Sequence, residues 1–522
     1  QTQNVMKKTT SVRIADIGKR IGRTVLIEGE IAQVKQTSGP TIFTIVDESG
    51  TGNAAAFIEA GVRAYPEIDL GDIVGLTGEV MQRNNQLQIE VASMTALDAE
   101  DVARVRERID AALDERAEPA DLPFLVESDI LEALRPQMRQ VAKEIRKAVL
   151  TARPIVLRHH ADADGICAAA AVEQAVTALI RESGGDFDAE YFLFKRSPSK
   201  APFYEIEDVT RDLDFALKDN ARYGQKMPMI LLMDNGSTDE DIPSLKVTRI
   251  YGLPVMVVDH HHPDESVDEY LIAHVNPYHV GGDYGLTAGM LGTEIARLVN
   301  PAVESQIRHL PAIAGAGDRS EAPERAHYLA LAAPEYSEDD CRDIALALDY
   351  EQFWLRFSDG REIVKDILNL GGDPGRHEQF VNLLVEEANR AIDEQVEVIM
   401  PHIKSRILAN GAHLFMLDVE LFAHRFTFPP PGKTSGEVHD RLVREHPGAP
   451  VVTLGFGPDF VVLRSRGVMM NIPRMVRELH TEIVGGGVSG GGHLVVGSIK
   501  FVEGMREAVL DSLIRKIGEA PI

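Results

Sequence analysis

Short apolar runs in the middle of the chain stop abruptly in acids and histidines. Residues 154–157 give way to Arg158-His159-His160-Ala161-Asp162-Ala163-Asp164-Gly165, residues 229–233 to Asp234-Asn235-Gly236-Ser237, and residues 254–258 to Asp259-His260-His261. A fourth run, residues 313–317, ends in Asp318. Runs this short read as strands buried on both faces, the pattern of a parallel sheet covered by helices. Helical stretches separate them. One doubly wound α/β sheet is therefore predicted, with the four polar ends along its carboxyl edge, where open sheets place their ligand sites. Carboxylate and imidazole together suit Mn, Fe or Zn. His160, Asp162 and Asp164 alternate with a period of two and are expected to point one way from an extended segment. Gly165 and Cys167-Ala168-Ala169 are small enough to let backbone approach the site, and Thr287-Ala288-Gly289 reads as a small-residue helix start.

At 522 residues the chain is too long for one ordinary core, so several domains are expected. The 54 basic and 81 acidic residues leave a formal charge of -27, which excludes a surface coated in a nucleic-acid-binding field but not a local basic groove. Cys167 and Cys341 can form neither a zinc knuckle nor a disulfide framework and read as bland core residues. No apolar run approaches a membrane span and the first residues lack a signal-peptide core, so a cytoplasmic protein without a membrane partner is expected.

The first hundred residues carry β-rich runs at 24–31, 41–46, 53–58, 72–80 and 86–91, separated by turn signals such as Ser38-Gly39-Pro40 and Arg83-Asn84-Asn85. This spacing predicts a small closed barrel, and the order of strands and turns resembles the OB-fold of nucleic-acid-binding proteins. Such barrels hold single strands in a basic groove with aromatic platforms. Lys7, Lys8, Arg13, Lys19, Arg20, Arg23, Lys35 and Arg83 supply candidate basic groups, whereas Phe43, Phe57 and Tyr65 read as core. A barrel that only docks on the next domain is the alternative.

Residues 98–116 read as an amphipathic helix, and Ser128 as the N-cap of another that Pro136 interrupts, together a spacer. Residues 321–402 are helical in pattern, with Trp354 and Phe357 as packing residues. Strand-like runs return at 412–418, 450–454 and 460–465. Gly432-Lys433-Thr434 is not a phosphate-binding P-loop, because Thr427 stands where that loop needs glycine. Further on, Gly490-Gly491-Gly492-His493 would allow close backbone approach to an anionic ligand, or form a flexible loop.

His-x-Asp-x-Asp-Gly, Asp-Asn-Gly-Ser, Asp-His-His and Gly-Asp in this order resemble the four motifs of the DHH phosphoesterase superfamily. That superfamily includes RecJ-type exonucleases, oligoribonucleases, cyclic-dinucleotide phosphodiesterases and a class of inorganic pyrophosphatases. The resemblance implies one metal held by His160, Asp162 and Asp234, and a second by Asp164, Asp234, His260 and Asp318. Asp234 would bridge, His261 would contact the scissile phosphate, and Asp259 would orient a histidine. Two Mn2+ ions are implied, with Mg2+ as the alternative. Several members place the first histidine where Arg158 stands; RecJ-like members place a ligand at the position of His160, which makes His159 a bystander.

The C-terminal order, with Arg464-Ser465-Arg466 before the glycines, resembles the DHHA1 substrate-binding domain. It implies that Gly490, Gly491, Gly492 and His493 grip substrate, with Arg464 or Arg466 on a further phosphate. The expected organisation is an OB-fold at 1–100, a helical connector at 101–150, the DHH domain at 151–325, a second helical connector at 326–405 and an α/β DHHA1 domain at 406–522. The function implied is a RecJ-like exonuclease on single-stranded DNA or RNA, in the company of replication or repair proteins. The alternatives are a phosphodiesterase for short oligonucleotides or cyclic dinucleotides, and a non-catalytic replication scaffold.

Overall fold

The computed structural model describes residues 10–184, 188–356 and 358–522; Lys7, Lys8 and Phe357 lie outside the described residues. Alternating burial along β2 (Thr24–Gln36), β3 (Thr41–Val46), β4 (Thr51–Ala56), β5 (Ile73–Arg83) and β6 (Gln86–Ala96) puts one face of each strand into a common core. With the short β1 (Thr10–Ser11) at its margin, the sheet runs β1-β2-β3-β4-β6-β5 and closes through β2–β5. Phe43 is fully buried, as expected. Phe57 is not core: it is 66% exposed, because β4 ends one residue earlier and the chain turns outward.

The helix Ala99–Ala117 starts on Asp98, whose side chain accepts from the Asp101 amide. Ser128 likewise caps Asp129–Leu150, which runs straight through Pro136 instead of breaking there. Pro136 costs one intrahelical bond, but the apolar stripe from Leu131 to Val149 is buried in the main core and holds the helix together. That helix is part of the core of the central domain rather than a spacer.

The parallel sheet has the order β11-β10-β9-β7-β8, formed by β7 (Ile155–His160), β8 (Phe194–Ser199), β9 (Met229–Met233), β10 (Val255–Val258) and β11 (Ala273–Val275). The chain goes from β7 outward to β8 and then to the other side of β7, so the order reverses between β7 and β9. Sequence patterning missed β8 and β11, whose alternating or very short runs lack the apolar signature. The run before Asp318 is not a strand: residues 313–317 belong to the helix Leu310–Gly317, and Asp318 is its C-cap. Its Ala-Gly composition suits close helix packing better than a pleated sheet.

Among the described residues one helix, Ala163–Glu182, is long and apolar enough to cross a membrane, but it is buried against Ala288–Val299 in the core of this domain. Helices Pro323–Ala332, Glu338–Leu355, Arg361–Leu368 and Pro374–Ile399 follow. Trp354 is half-exposed rather than packed away, meeting Tyr350 and Phe353 edge-on. The last sheet, β12-β13-β14-β15-β17-β16, comprises β12 (Lys404–Ile407), β13 (His413–Asp418), β14 (Val451–Phe456), β15 (Phe460–Arg466), β16 (Ser489–Gly492) and β17 (Val496–Lys500). The glycines at 490–492 therefore form an edge strand and not a loop.

The barrel sits at the amino ends of the central strands. Ala32 and Val46 pack on Ala152 just before β7, and Lys226 just before β9 pairs with Glu30 and donates to the Thr151 carbonyl. The polar strand ends lie at the opposite edge.

Candidate metal centre

His160 ends β7, Asp234 follows β9, and Asp259-His260-His261 follow β10, so the reversal of strand order opens a crevice lined by these side chains. His160, Asp162 and Asp234 bring donor atoms within 4.8 Å of one another, and Asp164, His260 and Asp318 do the same. His160 Nδ1 stands 3.1 Å from Asp162 Oδ2 and 3.4 Å from Asp234 Oδ2. His260 Nε2 faces Asp234 Oδ1 at 3.0 Å, Asp164 Oδ2 at 3.2 Å and Asp318 Oδ2 at 3.3 Å. Asp234 thus faces both sets through different oxygens.

His160, Asp162 and Asp164 do not share one face of an extended segment. Asp162 caps the helix Ala163–Glu182, accepting from the Gly165 amide at 2.8 Å, and Asp164 lies within its first turn. Turning from strand to helix sends Asp162 to one set and Asp164 to the other. A Cβ on Gly165 would stand 2.1 Å from the His160 carbonyl oxygen, so the turn needs glycine.

Asp164 receives the Ala288 and Gly289 amides at 3.1 and 2.7 Å, two of the otherwise unpaired donors that open the helix Ala288–Val299. At Gly289 a Cβ would meet Ala314 Cβ at 2.3 Å and Asp164 Oδ1 at 3.0 Å. Gly289→Ala is expected to cost about 1–3 kcal/mol by overpacking and to weaken cation binding by displacing Asp164. Thermal melting and Mn2+ titration check it; unchanged cation affinity would contradict the role given to this glycine.

Asp234 has a left-handed backbone, φ 62°, which places its carboxylate between the two sets. Its buried Oδ2 has no hydrogen-bond partner. His260 Nδ1 donates to the Tyr284 carbonyl at 2.7 Å, so Nε2 presents a lone pair to three carboxylates. A lone pair surrounded by carboxylate oxygens is a cation site by its chemistry, and this donor set fits two divalent ions. In the protein alone, burial and then Asp234 push Asp164 up to about 7. Burial and then Asp164 push Asp318 well above the carboxylate range. Burial opposes charging of His160 and His260, yet Asp162 beside the first and Asp234 beside the second hold both well above the usual imidazole value.

Asp259 Oδ1 accepts from His261 Nδ1 at 2.6 Å and from the His260 amide at 2.8 Å. His261 stacks on His493, 4.5 Å between ring centroids and 5° from parallel; His493 also meets His260 and Tyr284. Burial, reinforced by His261 and His260, pulls the His493 pKa far down, so this ring is neutral. His493 comes from the turn between β16 and β17. Gly490 and Gly492 within β16 have φ of 134° and 136°, open to glycine alone, and the Gly490 amide donates to Glu240 Oε1 at 3.2 Å. Gly491 lies against Phe203. His493 belongs to the same cluster as the Asp and His ends, next to the site where the DHHA1 resemblance has it grip substrate.

Arg464 is half-buried near Arg319, and burial followed by that neighbour lowers its pKa to about 10, which leaves it charged. Arg466 Nη2 donates to the His446 and Ala449 carbonyls at 3.0 and 2.6 Å, which ties that nitrogen to the backbone. Sequence reading passed over Arg319, which pairs with Asp440, and Asp349, which pairs with Lys433 at 3.7 Å and accepts from the Ala163 amide. These contacts, with Arg477–Asp264 at 3.3 Å, hold the C-terminal sheet over the crevice. Arg158 is buried against Asp208 and Asp212, away from the cluster, and His159, brought down to about 3 by burial and Arg196, is a neutral core residue.

An acid- and histidine-lined switch point in a doubly wound parallel sheet, joined to a closed five-strand barrel, defines a DHH protein with an OB-fold. Residues 154–308 match the DHH family, N-terminal domain, and residues 25–97 the OB-fold nucleic acid binding domain of the tRNA anti-codon type. The chain belongs to the DHH family. It is 45% identical to an uncharacterized protein of Methanocaldococcus jannaschii over 98% of this chain and 71% of that one. A solved DHH domain, described as a member of a family of ribosomal proteins, superposes with a TM-score of 0.78 at 43% identity, covering 81% of this chain and 100% of that one. Exonuclease RecJ bound to manganese superposes with a TM-score of 0.48 at 14% identity, covering 77% of this chain and 97% of that one.

Proposed function

We propose that the protein is a metal-dependent phosphodiesterase that removes nucleotides from single-stranded DNA or RNA. The observation that supports this reading is the shared carboxylate: Asp234 reaches two three-residue donor sets through separate oxygens, both sets complete. A silent scaffold has no need to keep such a cluster intact. His160, Asp162 and Asp234 would hold one ion, and Asp164, Asp234, His260 and Asp318 the other, with Mn2+ favoured over Mg2+ by the imidazoles. When bound, two such ions activate water and neutralise the attacking and leaving oxygens of an in-line displacement.

The remaining work falls to the chain. His261, oriented by Asp259, donates to a phosphate oxygen. His493 and the strand Ser489–Gly492 close the site from above, and Arg464 meets a further phosphate. Exclusion of water by the C-terminal sheet strengthens each of these charged contacts.

The test is incubation of the purified protein and Mn2+ with end-labelled single- and double-stranded DNA and RNA, and with a cyclic dinucleotide. Stepwise products from single strands support the reading, and inertness toward every substrate sinks it. Cleavage of dinucleotides alone would favour a small-substrate phosphodiesterase, a reading that the covering C-terminal sheet also suits.

The barrel's position adds a length prediction. The 20-residue helix Ala163–Glu182 starts at the cluster and ends beside the barrel, where Leu179, Glu182 and Ser183 line a 710 Å³ cavity with Gly50 and Asn85. That helix is about 30 Å long. A strand touching both places must span about nine nucleotides at the stacked spacing of 3.4 Å. Deleting the barrel is therefore expected to slow cleavage of oligonucleotides longer than about nine residues and to spare shorter ones; equal slowing at every length would reduce the barrel to a structural support.

A further inference from the structure

Arg319 follows the donor Asp318 in a conformation that its side chain disfavours. Asp318 is the C-cap of the helix Leu310–Gly317, and Arg319 comes next with φ 53°. The Arg319 amide donates to the Ala316 carbonyl at 3.2 Å and the Ser320 amide to the Gly315 carbonyl at 2.9 Å, the paired bonds of a Schellman helix end. Such an end takes glycine at its left-handed position, because a Cβ there crowds the following carbonyl. Here an arginine stands in that place, and nothing in the local backbone asks for one.

What the side chain meets lies across the domain boundary. Arg319 Nη1 pairs with Asp440 on the helix Pro431–Glu445, and Nε and Nη2 have no partner among the described residues. One turn earlier on the same face of that helix is Gly436, and the guanidinium of Arg464 lies over its bare backbone. A Cβ on Gly436 would stand 3.6 Å from Arg464 Nη2 and 3.8 Å from Cζ. Positions four apart on a helix are about 5–6 Å apart, so the two guanidiniums stand side by side. Arg464 has neither a hydrogen bond nor an ion pair among the described residues, which leaves the N–H donors of its fork without an acceptor in the protein.

The same face carries Lys433, and this residue is answered: Glu437 is 3.5 Å away and Asp349 3.7 Å. Asp349 Oδ1 in turn accepts from the amide of Ala163, which stands between the donors Asp162 and Asp164. The helix face is thus tied at one end beside Asp162 and Asp164 and at the other beside Asp318. Gly436 falls between the two ties, so the open fork of Arg464 faces the crevice that holds the donor sets.

We propose that Arg319 and Arg464 form a clamp of two guanidiniums, one from each domain, for the phosphate that adjoins the scissile one. The proposal rests on the reading of the cluster as a phosphodiesterase, and it narrows the substrate to nucleotides joined by at least two charged linkages. A phosphodiester has two unbridged oxygens, and each can take one planar fork. Because Arg319 adjoins Asp318 in the chain, the phosphate it holds is the neighbouring one and not a distant one. Arg319 is a binding residue for that phosphate, and its left-handed backbone aims the side chain across the crevice.

Trinucleoside diphosphates whose linkage beside the scissile one is either a phosphodiester or a neutral methylphosphonate test it, with Mn2+, in the parent, Arg319→Gly and Arg319→Lys. Glycine suits the helix end, so Arg319→Gly should keep the melting temperature of the parent. Loss of a charge-assisted fork should lower its kcat/KM on the charged substrate about 10–100-fold. Arg319→Lys should fall between, since an ammonium keeps the charge and the pair with Asp440 but not the fork. In the parent the neutral linkage should cost a similar factor, and in Arg319→Gly the two losses should not add. Arg319→Gly losing as much on the neutral substrate as on the charged one overturns the clamp. A parent that cleaves neither substrate strikes the phosphodiesterase reading alone, and the same comparison is then made in Kd. There, tighter binding of the charged strand by the parent than by Arg319→Gly, with the neutral strand bound alike, supports the clamp. Equal binding of the charged strand by both overturns it.

Discussion

Asp234→Asn is expected to lower phosphodiester hydrolysis by about a thousandfold or more while leaving the fold intact. Asparagine tolerates the left-handed backbone that Asp234 occupies, so the change is one of charge and not of conformation. The loss follows from position: this carboxylate alone faces both donor sets. Cations in such a site supply several kcal/mol of transition-state charge stabilisation, and each 1.36 kcal/mol is about tenfold in rate. A second readout separates this from misfolding. Asp234 is among the charges that raise Asp164, Asp318, His160 and His260, so stability of the cation-free variant should fall less steeply with pH than that of the cation-free parent. A variant that keeps activity, or whose stability falls as steeply, contradicts the bridging role.

Removal of divalent cations by a chelator should make stability fall as pH rises. In the cation-free protein Asp164 titrates near 7 and Asp318 well above its ordinary range, while His160 and His260 are raised as well. All four groups bind more protons folded than unfolded. Stability from them is complete in acid and is lost upward from about pH 4 through pH 7 and beyond. His261 is raised with these four, whereas Asp162 and Asp259, held low against burial by His160 and His261, and His493, lowered by burial, act in the opposite sense, which leaves five groups against three. Cations should reverse the trend, adding about 2.7 kcal/mol at a hundred times their Kd, with a larger gain at pH 8 than at pH 5, where protons compete. Melting scans over pH with chelator or Mn2+ measure this. Stability that rises with pH in chelator would remove the case for a repulsive cluster.

Several features were legible because local patterning dictates them. The barrel strands, the N-cap at Ser128, and the parallel strands before His160, Asp234 and Asp259 follow from burial period and capping chemistry. The two donor sets were named in advance through the DHH resemblance. Illegible were the features that depend on distant packing: the helix rather than strand before Asp318, the unbroken passage through Pro136, the outward turn of Phe57, and the hydrogen bonds that occupy Arg466. Each is settled by neighbours remote in sequence, and propensity yields to such packing.

The amino-acid order by itself determined the layers of this protein and the chemistry at the strand ends, because alternation, apolar runs and caps act over a few residues. Only the tertiary structure decided how those ends divide into two donor sets, that His493 closes on His261 from another domain, and that the barrel sits a helix length from the cluster. It also set Arg319 and Arg464 side by side along the helix Pro431–Glu445. These are distances across the chain, and they arise when strand order, helix docking and side-chain direction act together.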